Sequence, residues 1–82
     1  MKYIQIAPSR KDCTINKTTI TGKMGKRTFV FQLAPGDTFN LAQGDAFIEA
    51  FRMAIAISSK QHQVENLLNE HFGIIGGKFY EQ

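Results

Sequence analysis

The sequence TITGKMGKRTFVFQL, residues 19–33, places two glycines and three basic side chains between two strand-forming stretches. Every second residue after Arg27 is large and apolar, which is the period of a β-strand with one buried face. Gly22 and Gly25 can supply the positive φ angles that a tight connection requires. We therefore predict a β-hairpin with its tip at residues 22–25 and with one face covered by other elements, formed by Phe29, Phe31 and Leu33.

Two strands are predicted before Gly22. Lys2–Ala7 alternates weakly between apolar and polar side chains, and Cys13–Thr21 is rich in threonine and isoleucine. Ile15 and Ile20 are five positions apart, so a regular strand would place them on opposite faces. Either a bulge lies between them or both faces of the strand are partly covered.

The sequence changes to a helical period after Pro35 and Gly36, which end the strand. A first helix is predicted from about Asn40 or Asp45 to Ser59. It is apolar over most of its circumference, so we expect it to be deeply buried across the sheet. A second helix has Gly73 as its stop and an apolar face formed by Val64, Leu67, Leu68, His71 and Phe72. Whether the two helices are separate, or one rod bent at Ser58-Ser59, stays open.

Strands grouped before helices indicate an α+β fold rather than parallel crossover units. We predict an antiparallel sheet of three strands with two helices packed on one face, in the order β-β-β-α-α. Residues Lys78–Tyr80 are the candidate for a fourth strand. The 82 residues form a single domain, within which we distinguish a basic hairpin and sheet half (1–33), a helical half (40–73) and a tail (74–82).

The chain contains one cysteine, Cys13, which excludes an internal disulfide and favours a reducing compartment. No targeting segment and no apolar run of membrane length is present. We expect a cytoplasmic protein without a membrane partner. Its oligomeric state stays open, and a homodimer is one option because so small a core has a thin stability margin.

The net charge of +3 is unevenly distributed along the chain. Residues 1–33 carry seven basic side chains against one acidic side chain, for a net charge of +6. Residues 34–82 carry three basic against six acidic side chains, for a net charge of −3. This asymmetry predicts a basic surface on the N-terminal half.

No set of residues for catalysis or metal binding can be assembled from the sequence. A phosphate-binding loop needs four residues between its glycines and a helix after them, whereas here two residues separate the glycines and a strand follows. His62 and His71 are nine positions apart, about half a rotation on a helix, and cannot share a metal ion. Cys13 has no local signature of a nucleophile. We predict a non-enzyme with no catalytic residue, no metal site and no cofactor.

Binding of a macromolecular partner is the function that the basic hairpin predicts. Arginine and aromatic side chains at a protruding position are typical contact residues, so Phe79 and Tyr80 are additional candidates. The leading hypothesis is a non-catalytic protein that blocks or modulates a partner, most readily another protein. The alternative is a DNA- or RNA-binding module that uses the same hairpin. The predicted contact residues are Tyr3, Lys17, Lys23, Met24, Lys26 and Arg27.

In layout the chain resembles small phage-encoded inhibitors of host defence, such as anti-CRISPR proteins. The shared features are a very small size, a sheet followed by helices and the absence of a catalytic set; no particular residue carries the likeness. The resemblance implies an inhibitor, encoded by a phage or mobile element, of a host defence or nucleic-acid-handling complex.

Overall fold

The computed structural model describes residues 7–58 and 60–82. Two short 3-10 turns, Arg10–Asp12 and Leu41–Gln43, precede the first strand and the first helix. The elements in chain order are β1 (Cys13–Ile15), β2 (Thr19–Met24), β3 (Arg27–Gln32), α1 (Gly44–Ile57), α2 (Gln61–Phe72) and β4 (Lys78–Glu81). The predicted α+β class and the order β-β-β-α-α are confirmed, with a final strand after the helices. The predicted strand Lys2–Ala7 falls largely on residues 2–6, which lie outside the described residues, as does Tyr3.

The four strands form one antiparallel sheet in the order β1-β2-β3-β4. Ile20 lies opposite Phe31, and Phe31 lies opposite Phe79. Directly opposed side chains share a face, so these three residues form one apolar surface. Both helices cover this inner face, and Ile20, Phe31 and Phe51 have no solvent exposure. The prediction that the phenylalanines of β3 are buried is confirmed.

The segment Cys13–Thr21 is not one strand but two strands joined by a tight turn. Asn16 stabilises the turn, because its side-chain Oδ1 accepts hydrogen bonds from the backbone N–H groups of Thr18 at 2.9 Å and Thr19 at 2.8 Å. Ile15 and Ile20 are consequently opposed across the turn, on the same face of the sheet. The mismatch between the two isoleucines is therefore explained by a turn, and by neither of the two alternatives that the sequence left open, a bulge or a strand partly covered on both faces.

The tip of the hairpin lies further along the chain than predicted. Met24 pairs with Arg27, so the two connecting residues are Gly25 and Lys26. Gly25 has a φ of 64°, as the first connecting residue of a type II′ turn requires. Gly22 instead lies within β2 and is buried in the core.

Helix α1 packs on the sheet through one face and leaves another face open. Phe51, Ala54 and Ile55 are buried, whereas Met53 is 59% exposed and Ile57 is 67% exposed. The expectation that this helix is deeply buried is therefore correct only for its sheet side. Ser58 ends α1 with an extended backbone, so the two helices are separate.

Helix α2 holds the last strand against the sheet. Its buried residues Val64 and Leu68 follow the predicted spacing, and Gly73 ends the helix in the left-handed conformation. Glu65 accepts a hydrogen bond from the backbone N–H of Phe79 at 3.0 Å. Asn69 bonds both backbone groups of Gly77, at 3.0 and 3.1 Å. These contacts fix which face β4 turns toward the helices. Neither helix within the described chain has the length and apolarity that crossing a membrane requires.

Candidate binding surface

The tip of the β2–β3 hairpin extends beyond its neighbouring strands. β1 pairs with β2 only as far as Gly22, and β4 pairs with β3 only as far as Phe29. Past these residues, the described chain contributes one more backbone bond, from the N–H of Gln82 to the carbonyl of Thr28 at 2.8 Å. Within the described chain, neither β1 nor β4 therefore pairs with the tip, residues 23–28.

Two of the predicted contact residues are free cations at this tip. Lys23 and Lys26 are exposed, and neither takes part in a salt bridge within residues 7–58 and 60–82. Lys17 is also exposed, but it lies in the β1–β2 turn at the other end of β2. The four steps of β2 from Thr19 to Lys23 span about 13 Å at about 3.3 Å per residue, and Lys17 lies in the turn before Thr19. The structure thus places Lys23, Lys26 and Arg27 at one tip, with Lys23 and Arg27 on opposite faces of the sheet, and leaves Lys17 at the other end of β2.

Arg27 is positioned by two contacts that the lysines lack. Its guanidinium donates two hydrogen bonds to the Glu81 carboxylate, from Nε at 2.9 Å and from Nη2 at 3.0 Å. The same group lies over the Phe29 ring, 4.8 Å from its centroid. Because the Glu81 carboxylate accepts both hydrogen bonds, it offsets part of the positive charge of Arg27 and fixes the orientation of the guanidinium.

The ion pair predicts a measurable shift in the titration of Glu81. The hydrogen bonds from Arg27 hold the pKa of the Glu81 carboxyl below its ordinary value and raise the pKa of Arg27. A lowered folded-state pKa means that the pair contributes stability at pH values above the unfolded carboxyl pKa and loses it as the pH falls through the folded-state pKa. We expect NMR titration of the Glu81 carboxyl carbon to give a midpoint below that of a free glutamate. Arg27→Gln should move the midpoint upward, and an unchanged midpoint would show that the pair does not form in solution.

Met24 does not offer the exposed apolar contact that the sequence suggested. It lies opposite Arg27 on the inner face, is half-buried and packs against the hydrophobic core. Phe79, another candidate, is 5% exposed and packs beside Phe29 at 6.0 Å between ring centroids. Both side chains therefore belong to the interior side of the sheet.

The sheet face that points away from the helices, here called the outer face, carries polar and basic side chains around one buried apolar residue, Val30. Tyr80 lies opposite Val30 and is 36% exposed. Lys78 lies on the same face two residues before Tyr80 on β4, and Lys23 lies on this face of β2, on the far side of β3. No strand residue on this face of the described sheet is acidic. Its members are Thr14, Thr19, Thr21, Lys23, Thr28, Val30, Gln32, Lys78 and Tyr80.

A second surface lies on the opposite layer of the molecule. The exposed side chains of α1 border a groove of about 590 Å³ between the two helices. Ala46, Ala50, Met53 and Ile57 line it from α1, and Leu67 lines it from α2. His71, which the sequence placed on the apolar face of this helix, also lines the groove but is exposed rather than buried. The groove is apolar and the outer face is basic, so the two surfaces differ in chemistry.

The remaining groups with reactive potential are not assembled into a site. Burial raises the pKa of the Cys13 thiol, and the nearby Arg52 offsets this only in part. A raised pKa reduces the fraction of thiolate, which is the reactive form. Within residues 7–58 and 60–82, histidine, cysteine, aspartate and glutamate form no group of three that could hold a metal ion.

Comparisons of the chain with protein-family models, with curated proteins and with solved structures found no match. The surfaces described above are therefore interpreted from their own geometry and charge.

Sequence reasoning missed that Lys78 joins Tyr80 on the basic outer face. The signal was present in the tail, where Lys78 and Tyr80 alternate with Phe79. An apolar residue between two polar or amphipathic ones predicts that the outer two share the solvent face. Which face of the sheet this would be depends on the pairing of β4 with β3, and the sequence alone does not determine that pairing.

Proposed function

We propose that this protein is a non-catalytic binding protein that blocks or modulates a macromolecular partner, with the basic hairpin as its main contact. The observation that carries the proposal is the exposure of Lys23 and Lys26, without salt bridges in the described chain, on a tip that extends beyond β1 and β4. Lysines held apart from carboxylates keep their full attraction for an anionic surface. The complementary surface on the partner is therefore anionic, and the leading hypothesis from the sequence is that the partner is a protein.

The rigid base of the tip supports this proposal. Arg27 is held by Glu81 and by the Phe29 ring, and Phe29 is itself buried. A contact surface that is ordered before binding loses less conformational entropy in the complex. The ordered base and the accessible lysines together suit recognition rather than catalysis.

The size and layout of the chain suggest the form that this function takes. We propose an inhibitor of a host defence or nucleic-acid-handling complex, acting in the reducing cytoplasm. The single buried cysteine is compatible with that compartment.

The proposal is tested by charge reversal at the tip. Lys23→Glu and Lys26→Glu each change the net charge by the same amount as Lys60→Glu, which alters an exposed lysine between the two helices. We expect affinity capture from host lysate, read by mass spectrometry, to lose the specific partner with both hairpin variants. Lys60→Glu should retain it. A partner that remains bound to both hairpin variants would remove the hairpin as the contact.

A further inference from the structure

We propose that the outer face of the sheet binds single-stranded nucleic acid, with Tyr80 stacking on a base and Lys23, Lys26 and Lys78 contacting phosphates. The inference rests on the proposed function, because Lys23 belongs both to the hairpin tip and to the outer face, and Lys26 lies in the turn of that tip. It names the class of anionic partner that this surface fits best.

The charge distribution of the sheet is the first argument. All strand residues of the outer face in the described chain are neutral or basic, and the acidic strand residue Glu81 lies on the inner face with Arg27. The other acids of the C-terminal half lie in the loop after β3 or in the helices, including Asp45, Glu49 and Glu70. A phosphate backbone can therefore follow the outer face without meeting a strand carboxylate.

The aromatic ring is the second argument. Tyr80 is 36% exposed on β4, and its neighbour Phe79 points to the opposite side of the strand. A flat sheet face with an exposed ring is the platform on which sheet-based RNA-binding modules stack unpaired bases. An unpaired base uses the face of this ring while its phosphates use the lysines, so a single strand engages both features of the surface together.

The surrounding polar groups complete the site. Thr21 and Thr28 lie on the same face, whereas the Gln32 amide opposite Lys78 is already bonded within the protein, to the Thr19 hydroxyl and to the carbonyls of Thr18 and Leu33. The threonine hydroxyl groups can donate to and accept from base edges and sugar hydroxyls. They carry no charge that would oppose a phosphate.

The spacing of the cations fits a short single strand. Lys78 and Tyr80 are two residues apart on one strand, about 7 Å. Lys23 lies two strands away and two rows further, so its Cα is about 17 Å from that of Lys78. A chain of a few nucleotides spans this diagonal and passes Tyr80. A duplex conceals its base faces within the stack and cannot use the ring in this way.

The test uses the full-length protein and fluorescence anisotropy with labelled oligothymidine and oligouridine of about 15 nucleotides. A duplex and an oligoglutamate peptide of the same length serve as competing polyanions. With three phosphate contacts, we expect binding to weaken about 20-fold between about 50 and about 200 mM salt. In a Lys23→Ala/Lys78→Ala variant, which retains one of the three contacts, the same change in salt should weaken binding only about threefold.

The ring is tested separately from the charges. Tyr80→Leu retains an apolar side chain over Val30 but removes the aromatic face, and it should weaken single-strand binding about tenfold. Tyr80→Phe and Lys60→Ala should bind within twofold of the wild type, about the precision of such a comparison. Thermal melting confirms that each variant is folded.

The possible results separate this inference from the proposed function. No binding of either oligonucleotide at low salt, an unaffected Tyr80→Leu variant, or tighter binding of the duplex would overturn the nucleic-acid site. Equal binding of oligoglutamate would assign the face to an acidic polypeptide and would also overturn it. In each of these cases the proposed function still stands if Lys26→Glu abolishes capture of a lysate partner, and it fails as well if capture is unchanged.

Discussion

Gly77→Ala is expected to lower the free energy of unfolding by about 3 kcal/mol, from overpacking and lost hydrogen bonds together. A Cβ at this position would lie 2.5 Å from Cζ of Phe31 and 2.7 Å from Oδ1 of Asn69. Carbon atoms in contact prefer about 3.5–4.0 Å, so the ring or the backbone must move by about 1 Å. Phe31 has no exposed surface and cannot swing into solvent. For a chain of this size the loss corresponds to a fall in Tm of about 10–25 °C, measurable by calorimetry or circular dichroism.

A double-mutant cycle with Asn69 identifies the origin of the effect. Asn69→Ala alone removes the two hydrogen bonds to Gly77 and should cost about 1–3 kcal/mol. If the new methyl group displaces the Asn69 amide, then Gly77→Ala will cost less in the Asn69→Ala background than in the wild type. Additive effects would assign the whole clash to Phe31. A Gly77→Ala variant as stable as the wild type would show that β4 shifts freely and that α2 does not hold it.

The local sequence patterns predicted the fold class because the chain is short and its elements are grouped. The alternation of β3 and the helical spacing of Val64 and Leu68 each come from one buried face, which a single segment reveals. The sequence did not predict the turn at Asn16. Its only signal is one asparagine, whose short side chain bonds the backbone N–H groups that follow, and a single asparagine also occurs at the ends of ordinary strands. The tip of the hairpin was misplaced because both Gly22 and Gly25 suit a turn, and only the packing of Gly22 in the core distinguishes them.

The candidate surface was less predictable than the fold, since it depends on which segments become neighbours. The sequence identified Lys23 and Lys26 from local charge, but it could not show that Glu81, 54 positions away, engages Arg27. The sequence also could not show that Met53 and Ile57 are exposed. The apolar residues of a helix do not reveal which of its faces another element covers. Contacts between distant segments decide both the pairing of Arg27 and the exposure of the α1 side chains.

The distribution of chemistry over the two layers follows from the topology. In β2, Lys23 lies on the outer face, whereas Gly22 and Met24, the residues before and after it, face the helices. The inner face must be largely apolar to bury both helices, so the polar strand residues lie on the outer face, apart from the paired Arg27 and Glu81. The basic surface is thus a direct consequence of how the core is built, and changes to the core can be separated from changes to the surface.

Gly22 and Gly25 are expected to respond in opposite ways to the same substitutions. A Cβ at Gly22 would lie 2.9 Å from Cε2 of Phe51, 3.0 Å from Cγ of Pro8 and 3.2 Å from Sγ of Cys13. Gly22→Ala should therefore cost about 1–3 kcal/mol through overpacking. Gly22→Asn should cost more, because a larger polar group would enter the same buried space.

At Gly25 the order is reversed. A Cβ there meets nothing within 4 Å, so its only cost is the positive φ of 64°. Asparagine adopts this conformation more readily than alanine, so Gly25→Asn should be more stable than Gly25→Ala, which loses about 1–2 kcal/mol. Urea unfolding of the four variants gives both rankings. If alanine is favoured over asparagine at both positions, or asparagine at both, then the two glycines have the same role and the turn does not lie at Gly25-Lys26. The opposite rankings would fix the hairpin register, and with it the placement of Lys23 on the outer face.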